Sequence, residues 1–355
     1  MNHRFCSGPI QVPSPLLLHF FIIDRNLIYK RMASSEVFEE GKERKMFEPE
    51  KFIQKQVQEV REKIEDGKAV IAVSGGVDST VCAMLTHRAV GDRLVAVFID
   101  DGLMREGEAE QVIDFFKSRN MNARLVDAAN EFFDGLKGIV DPEEKRKAFR
   151  NTFYSVLGRV VREENASHLI QGTIAADVAE TVKGIKTQHN ILEQIGIDPE
   201  SYGLTIVEPL RALYKHEVRE VARSLGLPAE FSERPPFPGP GLATRVLGEV
   251  TPERVEIERK ATKIVEEETS DIESFQTMAI LMNDRATGIR EGKRAFGYII
   301  AVRLVKSKDA ITAEAVNVPW EVLKRIDKRI TTEIPEVVHV LYSLTDKPPA
   351  TIEFQ

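Results

Sequence analysis

Between Ala69 and Leu85 the chain reads AVIAVSGGVDSTVCAML, a stretch that few folds can accommodate. Ala69-Val70-Ile71-Ala72-Val73 is short, β-branched and without alternation, the pattern of a strand buried on both faces of a parallel sheet. Ser74-Gly75-Gly76 breaks the run, and Val77, Val81, Met84 and Leu85 then recur at helical spacing. The stretch predicts a strand that turns through a glycine loop into a helix. Glycines let a backbone bend sharply and approach a ligand. The N–H groups that open the helix point outward, and its dipole favours an anion there. With hydroxyls from Ser74, Ser79 and Thr80, the loop reads as a phosphate cradle. It differs from the GxxxxGK[ST] loop, because no lysine follows the glycines.

Asp78 is the unexpected member of this loop. A carboxylate in an anion site repels its ligand unless a cation intervenes, and Mg²⁺ is the simplest bridge from carboxylate to phosphate. A purely structural strand–turn–helix, with Asp78 as a first-turn residue, would explain a lone glycine pair. It explains less well why Ser, Gly-Gly, Asp, Ser and Thr share one loop.

SGGVDST, Ser74 to Thr80, resembles the PP-loop of the ATP pyrophosphatases. Those enzymes cut ATP between its α and β phosphates and adenylate a substrate oxygen, after which a nucleophile such as ammonia displaces AMP. The resemblance implies ATP phosphate contacts at Ser74, Gly75, Gly76, Val77, Asp78, Ser79 and Thr80. It implies adenine contacts at Val97 and Phe98, on the end of the second strand, although plain core packing would account for either side chain.

The 355 residues are enough for two domains, and 42% hydrophobic with 30% charged residues is a globular balance. A formal charge of −7 argues against broad nucleic-acid binding. Cys6 and Cys82 are the only cysteines, so there is no disulfide framework and no CxxC site. That usage fits a reducing cytoplasm and counts against PP-loop enzymes that rely on paired cysteines. Leu16–Ile23 is apolar but too short to span a bilayer, and it makes a weak signal peptide. Residues 1–45 are expected to be disordered, or an extension upstream of the true start.

From Met46 the pattern improves. Pro49–Glu65 reads as an amphipathic helix. Strands are expected at Ala69–Val73, Arg93–Asp100, Asn122–Val126, His168–Ile174 and Ile206–Leu210, with helices at Glu106–Arg119, Pro142–Glu164 and Lys215–Leu225. Such alternation predicts a parallel α/β sheet with its ligands at the carboxyl ends of the strands. Gln171, Gly172 and Thr173 fall at one such end. Lys145, Arg146, Lys147 and Arg150 could face phosphates or form a solvated helix face. The looser stretch Asp177–Tyr202 carries Lys183, Lys186 and His189 and suits a basic lid over the phosphates, or a solvated surface loop.

The run RPPFPGPGL, Arg234 to Leu242, marks a boundary. Past it come a charged helix to about Glu268, strands near Gln276–Met282 and Phe296–Val305, a helix over Pro319–Thr332 and a strand at Val337–Tyr342. The expected organisation is α/β: a parallel-sheet PP-loop domain over 46–233, followed by a smaller α+β dimerisation domain over 234–355.

Six separated motifs resemble GMP synthetase: IDDGLMREGEAEQV from Ile99, QGTIAADVAET from Gln171, KTQHN from Lys186, VEPLRALYKHEVR from Val207, RPPFPGPGLATRVLGEV from Arg234 and KPPATIEFQ from Lys347. The resemblance implies adenylation of O2 of the xanthine base of XMP, release of pyrophosphate, and displacement of AMP by ammonia to give GMP. It implies Mg²⁺ at Asp78, a lid lysine at Lys186, and further ATP contacts at Gln171 and Gly172. XMP contacts are implied at Arg294, Lys347, Thr351, Ile352 and Glu353, in a domain that also forms a homodimer. His189 is a candidate for ammonia deprotonation or lid ordering. Only residues 1–68 precede the PP-loop strand, too few for a glutaminase domain. The resemblance is therefore to the separate ATP-pyrophosphatase subunit of two-subunit, archaeal-type enzymes, which needs a glutamine amidotransferase partner to use glutamine. The lid lacks the second histidine of many relatives, Ala175 and Ala176 replace bulkier residues, and the chain ends Phe-Gln rather than Trp-Glu. NAD synthetase would explain 69–225 but neither FPGPGL nor KPPATIEFQ. A non-catalytic nucleotide-binding scaffold would not need Asp78, the loop glycines and Lys186 together.

Overall fold

The computed structural model describes residues 47–177, 204–233, 237–307 and 310–355. The expectations for residues 1–45 and for most of the lid stretch, including Lys183, Lys186 and His189, lie outside these residues.

Helix α1 (Pro49–Ile64) starts on a proline, where a missing N–H costs nothing, and buries Ile53, Val60 and Ile64. Strand β1 (Ala69–Ala72) follows, then α2 (Val77–Val90), β2 (Leu94–Asp100), α3 (Glu108–Lys117) and β3 (Ala123–Asp127). Next come α4 (Ala129–Leu136), α5 (Pro142–Glu163), β4 (His168–Ile170), β5 (Thr205–Val207), α6 (Lys215–Ser224) and the short α7 (Ala229–Ser232). All pairings in the first sheet are parallel, in the order β3-β2-β1-β4-β5. β1 and β2 bury nearly every side chain, which is why their sequences run apolar without alternation.

Helix α4 has no counterpart in the sequence expectations. It is only eight residues long and holds Gly135, too short for periodicity to reveal it. β4 stops at Ile170 rather than reaching Ile174. Beyond it the chain closes on the β1–α2 loop at Gly172, where an added Cβ would lie 3.3 Å from Ser79 N.

The C-terminal part opens with α8 (Pro252–Glu268), capped by the Thr251 hydroxyl, which accepts from Arg254 N. A long antiparallel hairpin follows, β6 (Gln276–Arg290) and β7 (Lys293–Lys306), with a bulge between Leu281 and Arg285. The two-residue β8 (Glu314–Ala315), α9 (Trp320–Glu333) and β9 (Val337–Tyr342) complete it, and β9 runs parallel to β7. The hairpin is far longer than expected because NDRATG, from Asn283, is polar on both faces and carries no strand periodicity. A continuous apolar core runs from Val70 and Val97 through Leu242 and Val246 to Ile300 and Ile330. Among the described residues no helix is long and apolar enough to cross a membrane.

Candidate active site

The chain leaves β1 toward β2 on one side of it, while β4 lies on the other. The loops after β1 and β4 therefore part at a topological switch point, where open α/β sheets bind ligands. A crevice of about 340 Å³ opens there, lined by Ser74, Gly76, Asp78, Ser79, Gln171 and Gly172, with Thr173 and Asp177.

Hydroxyl groups fix the loop. Ser79 Oγ donates to Gly76 O at 3.1 Å and accepts from Ser74 N at 3.3 Å. Thr80 Oγ1 donates to Gly76 O at 2.9 Å and is fully buried. Thr80 thus holds the turn from inside, whereas Ser74 and Ser79 face the crevice. The first N–H groups of α2 have no partner within the helix and stand at the crevice floor.

Asp78 sits in this first turn. Its Oδ2 accepts from Lys215 Nζ at 2.6 Å, and its Oδ1 is buried without a hydrogen-bond partner among the described residues. Lys215 and Arg219 come from α6, one helical turn apart, and both line a second, larger cavity. In the sequence these two residues stand within a motif, with nothing local to give them a role. Asp78, the partner of Lys215, lies 137 positions away in the chain, which only the fold reveals.

The second cavity, about 570 Å³, shares Ser74, Gly76 and Asp78 with the crevice. Its walls include Phe98, Phe149, Phe153, Phe237 and Phe275, with the carboxyls of Asp101 and Glu108. Phe98 lines it, whereas Val97 does not and packs into the core. A flat aromatic chamber beside an N-terminal anion cradle is the shape of a nucleotide site. Burial, reinforced by Asp100 and Glu108, pushes the Asp101 carboxyl up to about 7, even though it accepts from Leu103 N. Burial also holds the Cys82 thiol high, which disfavours its thiolate, and its Sγ donates to Gln171 O.

None of the basic cluster on α5 lines the crevice or the second cavity. Lys145 is buried and donates to Val246 O and Gln355 Oε1, each at 2.7 Å. Arg146 and Lys147 pair with Glu143 and Glu144 on their own helix, and Arg150 is exposed.

The C-terminal segment is stitched across the second sheet by Arg303, itself fully buried. Arg303 donates to the carbonyls of Thr345, Thr351 and Ile352 at 2.8, 3.0 and 3.1 Å. Ile352 packs on Met278, Ile280, Ala301 and Val305. Glu353 accepts from Arg245 at 3.1 Å and from Gln276, while Lys347 Nζ donates to Ala310 O at 2.8 Å. Gln276 and Arg105 line a groove of about 500 Å³ beside this segment. Phe237, in the wall of the second cavity, carries the Arg105 guanidinium 4.0 Å from its ring centre and that of Arg245 at 4.9 Å. Four of the five expected XMP positions thus lie together. Arg294 does not join them: it pairs with Ile289 near the hairpin tip, about 30 Å along β7 from Arg303 at strand rise.

A PP-loop domain model matches residues 49–230, and a GMP synthase C terminal domain model matches 263–354. A glutamine-hydrolyzing GMP synthase subunit of Methanopyrus kandleri is 53% identical over 318 residues, covering 87% of this chain and all of that one. The same subunit of Archaeoglobus fulgidus is 54% identical over 86% of this chain and 99% of its own length. This chain belongs to that family of GMP synthase subunits. Membership makes it a ligase of GMP synthesis that uses ATP through its PP-loop domain. Among solved structures, NH3-dependent NAD synthetase from Campylobacter jejuni is 18% identical with a TM-score of 0.43, covering 53% of this chain and 78% of that one.

Proposed function

We propose that this GMP synthase chain adenylates O2 of the xanthine base of XMP and that ammonia then displaces AMP to give GMP. The observation that carries the reading is Asp78, with one carboxylate oxygen buried and unpartnered at the point where an N-terminal anion cradle meets the aromatic cavity.

In this reading the ATP phosphates lie on the loop of Ser74, Gly75 and Gly76 and on the first turn of α2, with Gln171 and Gly172 closing the opposite wall. Phe98 packs against the adenine. Among the described residues no three or more His, Cys, Asp or Glu side chains converge as a metal cage. A cation held by one carboxylate and by phosphate oxygens fits Asp78 Oδ1, and Mg²⁺ is bound in that way. When present it would offset charge on the departing pyrophosphate. Lys215 and Arg219 would add positive charge at the same place. Lys186 would act from the lid, with His189 as a candidate for handling the ammonia proton.

The XMP base is brought to the nucleotide from the groove beside Arg105, Gln276 and Glu353, with Lys347, Thr351 and Ile352 shaping the wall. Arg294 lies too far along its own chain to join them, which supports an acceptor site completed by a second copy in a C-terminal homodimer. O2 attacks the α phosphorus, the bond to the bridging oxygen breaks, and pyrophosphate leaves. Ammonia then adds at C2, loses a proton, and AMP departs with the former O2. The work of the protein is positioning and charge compensation.

The reaction also defines a partner, a separate glutaminase that supplies ammonia, and a cytoplasmic setting suits both. The test is GMP formation by the purified chain from XMP and Mg-ATP. Ammonium should support it, and glutamine should not until a glutaminase partner is added. No product under any of these conditions would refute the reading.

A further inference from the structure

The loop that follows β2 belongs to both cavities at once. Asp101 and Met104 line the nucleotide cavity, and Arg105 lines the neighbouring groove. Its three consecutive carbonyls are all held by the C-terminal part of the chain. Arg259, on α8, donates Nη2 to Gly102 O at 2.5 Å and Nε to Met104 O at 2.9 Å. Between them, Leu242 N donates to Leu103 O at 2.7 Å. The remaining arm of Arg259, Nη1, donates to Glu256 at 2.6 Å, so the guanidinium is itself oriented. Arg105 adds a further tie to α8, donating Nε to Glu266 at 2.8 Å.

We propose that Arg259 is a positioning residue that holds the 101–105 loop as the shared wall of the two cavities, so that occupancy of one aligns the other. The inference rests on reading those cavities as the ATP and XMP sites. The geometry suits a guanidinium alone. Its rigid planar fork spans two carbonyls that are two residues apart, whereas an ammonium is a point donor. The loop has no strand or helix ladder of its own, so these bonds, with its turns on Asp100 and Asp101 and the tie of Arg105 N to Glu108, set where its side chains stand. Displacing reacting groups by about 1 Å costs on the order of 10²-fold in rate, so a small shift of this wall reaches the chemistry. Because each cavity takes residues from the loop, a single loop position that suits both ligands couples their binding, and that coupling is reciprocal.

The test compares the native chain with Arg259→Met and Arg259→Gln, using XMP and α,β-methylene-ATP, which cannot release pyrophosphate. Calorimetry gives the affinity of each ligand alone and in the presence of the other. Steady-state GMP formation with ammonium gives kcat. The native chain should bind each ligand about fivefold or more tightly in the presence of the other. Arg259→Met should bind each alone within roughly threefold of native, lose the mutual enhancement, and fall ~10- to 100-fold in kcat. Arg259→Gln, which keeps one donor but cannot span both carbonyls, should fall between, and it carries the same test should Arg259→Met not fold. Glu253→Gln, exposed in the first turn of α8 and away from Arg259, should match native.

Native chain that shows no coupling overturns the proposal. So do variants that keep both coupling and kcat, or that lose affinity for a single ligand while the coupling survives. Native chain that releases no pyrophosphate with XMP and true ATP instead refutes the functional reading beneath it.

Discussion

The two carboxylate oxygens of Asp78 stand in different surroundings. Oδ2 is engaged by Lys215, a half-exposed pair of the kind that contributes about 0–1 kcal/mol, whereas Oδ1 is buried and bonded to nothing among the described residues. Asp78→Asn should therefore leave the melting temperature within a few degrees and lower Mg-ATP turnover by ~10²-fold or more, read as XMP-dependent pyrophosphate release. Asp101 makes a second prediction. Its carboxyl is pushed up to about 7 by burial, against about 3.9 in an unfolded chain. Between those values the folded state keeps a proton that the unfolded chain has lost, so the contribution of Asp101 to stability falls as pH rises from about 4 to 7. Asp101→Asn keeps an acceptor for Leu103 N and removes the titration. Urea melts should show the variant gaining on native protein as pH rises from 4 to 8, and an unchanged difference would contradict the assignment. At this scale the sequence was informative about Asp78, because a carboxylate among phosphate-binding residues is conspicuous. It was silent about Asp101, whose behaviour depends on a cavity assembled from distant segments.

At the level of elements, the site follows from strand order. β1 sits between β2 and β4, so the two loops that part at its end form the crevice, and the short apolar run at Ala69 already predicted a central parallel strand. The Pro/Gly run reads in the sequence as a boundary, and nothing in it foretells the contact of Gly241 with Leu103. Gly241 takes φ +56°, and an added Cβ would lie 2.4 Å from Leu103 O, a backbone atom that cannot swing aside. Gly241→Ala should cost about 1–3 kcal/mol, seen as a lower melting temperature by calorimetry. Gly292→Ala, with φ +76° but open space around it, isolates the dihedral cost and should lose less. Equal losses would show that the contact with Leu103 is unimportant. The hairpin was underestimated for a physical reason. Its outer half is solvated on both faces, so Ile289, Phe296 and the polar residues between them show no period that a sequence reading can use.

On the scale of the whole molecule, the C-terminal segment ties the two halves together. Glu353 is held by Arg245 and Gln276, and Gln355 reaches Lys145 on α5 of the PP-loop half. The motifs FPGPGL and KPPATIEFQ pointed to GMP synthesis, yet nothing local in them reveals that Arg245, itself fully buried, pairs with Glu353 108 residues away. Long-range pairing of this kind is set by tertiary packing and leaves no periodic trace. The claim that joins all these parts is that O2 of XMP attacks the α phosphorus of ATP. The most direct measurement is the fate of an ¹⁸O label placed at O2 of XMP, followed by mass spectrometry of the products formed with ammonium. Adenylation predicts the label in the phosphoryl group of AMP and none in pyrophosphate. Label recovered in water or pyrophosphate, with unlabelled AMP, would contradict it.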